Sequence, residues 1–348
     1  MTPPDAPAVL MPAQSDIEHA AAQLAAGELV AFPTETVYGL GGDAEQPSAV
    51  AAIYAAKGRP ANHPVIVHIA PEGDPGYWCN DISPAARALM EAFWPGPLTL
   101  IVKRAPHIPA AVSGGQDSVG LRCPSHPVAQ ALLREFARQK GGQGGVAAPS
   151  ANRFGRVSPT SAQHVRDEFH GLPGVTVHVL DGGDCAVGIE STIIDLSRGF
   201  PALLRPGHIT PEDVANVLGE MPRMPGQDGG DAPRASGTLK AHYAPRTPLF
   251  LCRAADMAPA LAVRPAGERV AVVAFAATLA SLPQALPDLV RVPLPAAPAE
   301  LASRLYALLR QLDSTGVSHI LFEQLPDTPA WAAVNDRLGR AAAAFERS

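Results

Sequence analysis

The chain has 348 residues, 47% of them hydrophobic and 17% charged, with a formal net charge of -6 and four cysteines. That length predicts two domains. No apolar run approaches the roughly 20 residues that span a bilayer, so no membrane partner is expected. The acidic balance argues against a broad footprint on nucleic acid. The scattered Cys79, Cys123, Cys185 and Cys252 form no Cys-x-x-Cys pair, which argues against a zinc knuckle or disulfide framework and for reduced thiols in a cytoplasmic protein.

Residues 1–14 read as a frayed, Pro- and Ala-rich leader without the basic start of a signal peptide. A helix is predicted from Asp16 as N-cap through Ala26, stopped by Gly27. Strands are predicted at 29–32, 65–69, 98–103, 118–122, 145–148, 175–180 and 191–196, with helices at 47–56, 84–93, 127–138 and 161–168 between several of them. Mixed elements with polar residues at strand ends give an α/β domain over 15–210. Thr210-Pro211-Glu212-Asp213 combines a cap, a first-turn Pro and acids at the positive helix end, so a helix runs from there to near Gly219. Residues 220–247 are rich in Gly and Pro and lack apolar periodicity, and the linker is drawn over 211–247. Beyond it, strands at 248–252, 269–275, 289–294 and 318–322 alternate with helices, notably 297–312 and 329–344. This predicts a smaller, parallel, Rossmann-like α/β domain over 248–348. No G-x-G-x-x-G follows its first strand.

Several short stretches carry chemistry. Thr34, Glu35, Thr36 and Tyr38 follow the first apolar strand directly, and Lys57-Gly58-Arg59-Pro60 follows a helix. A cation, Gly and Pro in that order is ordinary helix-stop grammar; the alternative is that Lys57 and Arg59 aim together at a phosphate. His63 and His68 would fall on opposite faces if the segment between them is extended, which disfavours a shared metal, and no metal ligand is assigned. Arg122 ends an apparent strand and is either a surface cation or a carboxylate clamp. Ala147 to Asn152 is built of small residues, so a ligand could approach its backbone N–H groups, Ser150 and Asn152. Ser158, the Gly188 to Thr192 turn and Arg205 at another strand exit repeat that logic. The chain holds no G-x-x-x-x-G-K-[ST], no G-x-S-x-G and no kinase signature.

In this order, FPTETVYGLG, KGRP, HPVIVH, WPGPLT, LRCPSHP, APSAN, SPT, GIESTI, LLRPG and SGT…HYAP resemble the YrdC/Sua5 family of L-threonylcarbamoyladenylate synthases. The motifs span about residues 29–245, and the β/α pattern beyond them resembles the C-terminal domain of the Sua5 type. The resemblance implies a YrdC-like twisted mixed-sheet α/β domain. It also implies a nucleotidyltransferase that makes threonylcarbamoyl-AMP and pyrophosphate from L-threonine, bicarbonate or CO2, and ATP with Mg2+. The product feeds the tRNA threonylcarbamoyltransferase machinery that modifies adenosine 37 of tRNA. Carried over motif by motif, Thr36, His68, Arg122, Ala148 (through its backbone) and Ser191 would hold L-threonine. Lys57 and Arg59 would be catalytic. Arg59, His63, Ser118, Ser150, Asn152, Ser158, Arg205 and Tyr243 would bind ATP, with the linker as a flap over the cleft. Related domains are credited with RNA affinity, so weak RNA binding is included, although the net charge counts against a pure RNA-binding module. Carbamoyl transfer through a carbamoyl-adenylate, as in hydrogenase-maturation proteins, is the rival chemistry; this chain lacks the Cys pairs of their zinc finger. Asn62 stands where Asp is frequent in the family, and Ala241 precedes His242-Tyr243.

Overall fold

The computed structural model describes residues 9–227, 232–265, 267–283 and 288–346. They group into two compact units: residues up to Phe154 with Ser158–Thr238, and Gly155–Val157 with the chain from Leu239 onward. The first unit runs α1 (Gln14–Ala25), β1 (Val30–Phe32), β2 (Gly39–Asp43), α2 (Pro47–Lys57), β3 (Ile66–Ile69), α3 (Pro75–Trp78), α4 (Pro84–Phe93), β4 (Leu98–Lys103) and β5 (Ser118–Arg122). It continues with α5 (Pro127–Gln139), β6 (Gly145–Ala147), α6 (Ala162–Phe169), β7 (His178–Val179), β8 (Thr192–Asp195), β9 (Ala202–Arg205) and α7 (Pro211–Leu218).

Among the described residues its strands form one sheet in the order β7-β1-β2-β6-β3-β5-β4-β8-β9. The sheet is mixed: β1/β7, β3/β5 and β4/β8 are parallel and the other neighbours antiparallel. Alternation along each strand sorts the side chains into two faces. Ala31, Leu40, Val67, Leu100, Leu121, Ala147 and Ile194 share one core with α2, α4, α6 and α7. Val30, Phe32, Val146 and Ala148 point the other way, onto Ile17, Ala20 and Leu24 of α1 and Leu132, Leu133 and Phe136 of α5. Local grammar sets the helix ends. Gly58 closes α2 in the left-handed region at φ 61°, where a side chain would be strained. Thr210 and Asp213 close a reciprocal capping box on α7.

The second unit alternates β10 (Leu249–Cys252), α8 (Ala254–Ala262), β11 (Val270–Ala274), α9 (Ala276–Ser281), β12 (Leu289–Pro293), α10 (Pro298–Asp313), β13 (His319–Glu323) and α11 (Ala332–Ala343). Its sheet order is β10-β13-β11-β12, with every pairing parallel, as the β/α alternation predicts. Met257 and Leu261 of α8 pack on Val270 and Val272. No helix among the described residues is long and apolar enough to cross a membrane.

Several sequence expectations are corrected. The first helix starts at Gln14 with Ala13 as N-cap, and Asp16 lies inside its first turn, where a carboxylate still faces the exposed amides. The frayed leader is held at Leu10, whose N–H donates to Gly182 O at 3.1 Å; residues 1–8 lie outside the described residues, as do 228–231 of the linker. Strand β2 was not expected from GLGGD, which has no β-branched residue. Its glycines serve close packing: a Cβ on Gly41 would sit 2.8 Å from Val146 Cγ1 and 3.0 Å from Val30 O. The strand expected at 175–180 pairs only through His178–Val179. The helix expected at 127–138 runs one residue further, to Gln139, and a turn leads from it into β6 at Gly145. His63 lies in a turn ahead of β3, so the extended spacing assumed between it and His68 does not hold. The last helix starts at Ala332, after a short 3-10 turn over Pro329–Trp331.

Candidate active site

Helices α1 and α5 cover only part of their sheet face. Further along it, the register brings His68 opposite Arg122, continues the antiparallel pairing to Thr99, and sets Thr99 opposite Ile193. Four adjacent strands thus present a row of His68, Arg122, Thr99 and Ile193, with Ser118 and Ile66 on the same face. Here the apolar cover is Ala235, which joins Ile66, Ile101 and Ile193 in a small cluster. Polar residues collect where a face has strands but no helix above it.

One end of the row is built around Arg122. Its guanidinium is buried, with Nη2 2.8 Å from Glu35 Oε1. That contact is an ion pair without hydrogen-bond alignment, and Arg122 Nε has no acceptor among the described residues. Glu35 Oε2 accepts the Ser125 N–H at 3.2 Å. Thr34 folds a local turn, donating to Val37 O at 2.7 Å and lying 2.8 Å from the Thr36 hydroxyl, so Thr36 is positioned by its neighbour. His68 is buried, with Nδ1 3.3 Å from Ile66 O. Burial, then the Arg122 charge, holds its pKa down to about 3, so the ring is neutral. Ala148 gives its N–H to Ile66 O at 2.9 Å, so that donor is engaged within the sheet. Ser191 Oγ lies 2.7 Å from Thr99 Oγ1 and accepts from Arg205 Nη2 at 3.1 Å.

The other end is cationic. Arg59 Nη2 donates to Pro64 O at 2.7 Å and to Ser236 Oγ at 3.2 Å. Arg205 donates from Nε to Ser191 O at 3.0 Å and from Nη1 to Ser236 O at 2.9 Å. Ser236 therefore bridges the two arginines. Arg234, two residues earlier, donates to Asn62 O and Gly114 O, and its backbone exchanges hydrogen bonds with the Gln116 side chain. Part of the sequence-defined linker is thus strapped across this face.

Lys57 is fully buried, and its ammonium donates to Ser150 O at 2.5 Å and to Asn152 O. Burial, then Arg59, depresses its pKa well below the ordinary lysine value. Two of this loop's backbone N–H groups are engaged within the protein: Ala151 N donates to Tyr38 O and Asn152 N to Ser150 O. Lys57 organises the loop through its carbonyls. Ser158 Oγ donates to Glu190 Oε1 at 2.6 Å. The His63 ring packs edge-on against Phe154, and burial, followed by Arg59 and Arg234, lowers its pKa.

Tyr243 belongs to the second unit. Its backbone is left-handed at φ 60°, a strained setting for an aromatic residue. Its ring stacks on Tyr306 and lies under Arg337. Sequence reasoning assigned no role to Glu35, Thr99, Glu190 or Ser236. Each lies inside a motif quoted above, so the signal was present but the partner was not. Arg234 carried no such signal.

Comparison with known proteins places this geometry. Residues 22–207 match the Sua5/YciO/YrdC family model, described as "Telomere recombination". Residues 209–343 match one described as "Threonylcarbamoyl-AMP synthase, C-terminal domain". The chain is 37% identical over 338 residues to the threonylcarbamoyl-AMP synthase of Pyrococcus abyssi, covering 93% of each chain. It is 39% identical over 332 residues to that of Bacillus subtilis, covering 94% of this chain and 92% of the other. It also resembles the crystal structure of P. abyssi Sua5 complexed with L-threonine, with a TM-score of 0.82, 35% identity and 96% of each chain covered. A mixed-sheet domain of this kind, a parallel second domain and similarity along nearly the whole length mean that the chain belongs to the Sua5/YciO/YrdC family, among its threonylcarbamoyl-AMP synthases.

Proposed function

We propose that this chain joins L-threonine, bicarbonate or CO2, and ATP into L-threonylcarbamoyl-AMP, releasing pyrophosphate, for modification of adenosine 37 in tRNA. The carrying observation is the set of buried arginines in the described residues of the first unit, Arg59, Arg122 and Arg205, in an acidic protein. Burying a guanidinium is costly unless it meets anions or strong acceptors. Arg122 has donors to spare for a carboxylate, which suits the amino acid. Arg59 and Arg205, bridged by Ser236, suit the phosphates.

In this reading Thr36, His68, Arg122, the backbone of Ala148 and Ser191 hold L-threonine. Arg59, His63, Ser118, Ser150, Asn152, Ser158, Arg205 and Tyr243 serve ATP, which enters as its Mg2+ complex in the cytoplasm. The threonine amine adds to CO2 and loses a proton, giving a carbamate. A carbamate oxygen attacks the α-phosphorus of ATP, and the bond to the bridging oxygen breaks as pyrophosphate leaves. No covalent enzyme intermediate is needed, so positioning and stabilisation of developing charge supply the acceleration. Lys57 contributes by fixing the 150–152 loop and Arg59 by facing the phosphates. The linker over 211–247 serves as a flap, with Ser236 as the part that meets the nucleotide side. The adenylate then passes to the tRNA threonylcarbamoyltransferase machinery.

The test is pyrophosphate release from ATP by the full chain, omitting threonine and bicarbonate in turn. Release is expected only with both present. Release indifferent to threonine refutes the proposal.

A further inference from the structure

Thr99 is fully buried on β4, and its hydroxyl has one hydrogen-bond partner among the described residues, Ser191 Oγ at 2.7 Å. Ser191 Oγ has a second contact, Arg205 Nη2 at 3.1 Å, and a guanidinium can only donate. Proton accounting then separates two arrangements. If Ser191 donates to Thr99, the threonine proton is left without an acceptor in a sealed position, at a cost of about 1–3 kcal/mol. If Thr99 donates to Ser191, the proton left over is that of Ser191, which is equally buried in the unliganded chain and finds its acceptor when the amino-acid substrate is bound. Ser191 Oγ then accepts twice, and its own proton becomes the donor facing the ligand.

We infer that Thr99 is a positioning residue for Ser191: by giving its hydroxyl proton to Ser191 Oγ, it makes the serine an oriented donor to an acceptor oxygen of the amino-acid substrate. The inference rests on the proposed placement of Ser191 beside L-threonine. It also explains why a threonine stands mid-strand between Leu98 and Leu100, on the face that carries Arg122 and His68. The geometry requires a hydroxyl rather than a branched shape, because this hydrogen bond is the one the Thr99 side chain makes among the described residues.

The experiment compares Thr99→Val, Thr99→Ser and Ser191→Ala in the full chain by steady-state pyrophosphate release, varying L-threonine and ATP separately. Thermal unfolding is measured on each variant. Thr99→Val should raise the threonine KM about tenfold, the equivalent of one oriented hydrogen bond. Its ATP KM and kcat should stay within about twofold. Thr99→Ser keeps the hydroxyl and should restore a threonine KM within about twofold of the unsubstituted chain. A merely structural role would instead move both KM values, kcat and the unfolding midpoint together, and that pattern would overturn the inference. If Ser191→Ala raises the threonine KM while Thr99→Val does not, the inference fails and the substrate placement stands. If Ser191→Ala leaves the threonine KM unchanged, the substrate placement of Ser191 fails, and this inference with it.

Discussion

Replacing Arg205 by Lys keeps the charge and removes the geometry. The guanidinium's directed bonds include those to Ser191 O at 3.0 Å, Ser191 Oγ at 3.1 Å and Ser236 O at 2.9 Å, from a side chain that is 3% exposed. An ammonium on a shorter stem reaches one of these acceptors, so two charge-assisted bonds are lost. At about 1.5–3 kcal/mol each, the gross loss is about 3–6 kcal/mol. The Ser236 carbonyl lies on the linker segment and can be rehydrated, whereas Ser191 is buried in the unliganded chain, so about 2–4 kcal/mol is the expected net effect. If those bonds also shape the transition-state site, kcat/KM falls by about 30-fold to 10³-fold. The assay is pyrophosphate release alongside urea denaturation, so that folding and catalysis are measured on the same sample. An Arg205→Lys protein within twofold in kcat/KM and within about 0.5 kcal/mol in stability would refute the reasoning.

Three further outcomes follow from the geometry. Glu35→Ala strips the buried Arg122 of its counter-charge and should cost about 3 kcal/mol in chemical denaturation; adding Arg122→Met should recover part of that, and strict additivity of the two changes would contradict the pairing. Gly41→Ala forces a Cβ to 2.8 Å from Val146 Cγ1 and 3.0 Å from the Val30 carbonyl, so a loss of about 1–3 kcal/mol is expected, and an unchanged denaturation midpoint would count against that close approach. His68 has a folded pKa of about 3 against an ordinary 6.5, so the unfolded chain takes up its proton first. The contribution of His68 is therefore complete above pH 6.5 and lost as pH falls toward 3. Stability followed across that window should fall less steeply in His68→Gln, and parallel slopes would show that the ring titrates normally.

Much of the fold was legible in the chain. The caps and stops of α2, α4, α5 and α7 each rest on a few adjacent residues, which local physics reads directly. The parallel second sheet followed from β/α alternation, because parallel neighbours need a crossover. Strand β2 escaped for the opposite reason: GLGGD has no strand propensity, and its pairing exists because β1 and β6 need a partner thin enough to lie between them. Motif order also marked Thr36, Lys57, Arg122 and Arg205 as site residues, but it could not say what each one touches.

By itself, then, the sequence determined the identities of the polar residues, the caps and stops of α2, α4, α5 and α7 and the two α/β patterns, since each depends on neighbours within a few positions. Tertiary structure alone decided that Arg122 lies against Glu35, that the Thr99 and Ser191 hydroxyls meet at 2.7 Å, and that Lys57 faces the Ser150 and Asn152 carbonyls. It also decided that Ser236 links Arg59 to Arg205 across 177 and 31 positions of chain. Such pairings depend on strand register and on which part of a sheet face is left without a helix, and neither is written in any one segment.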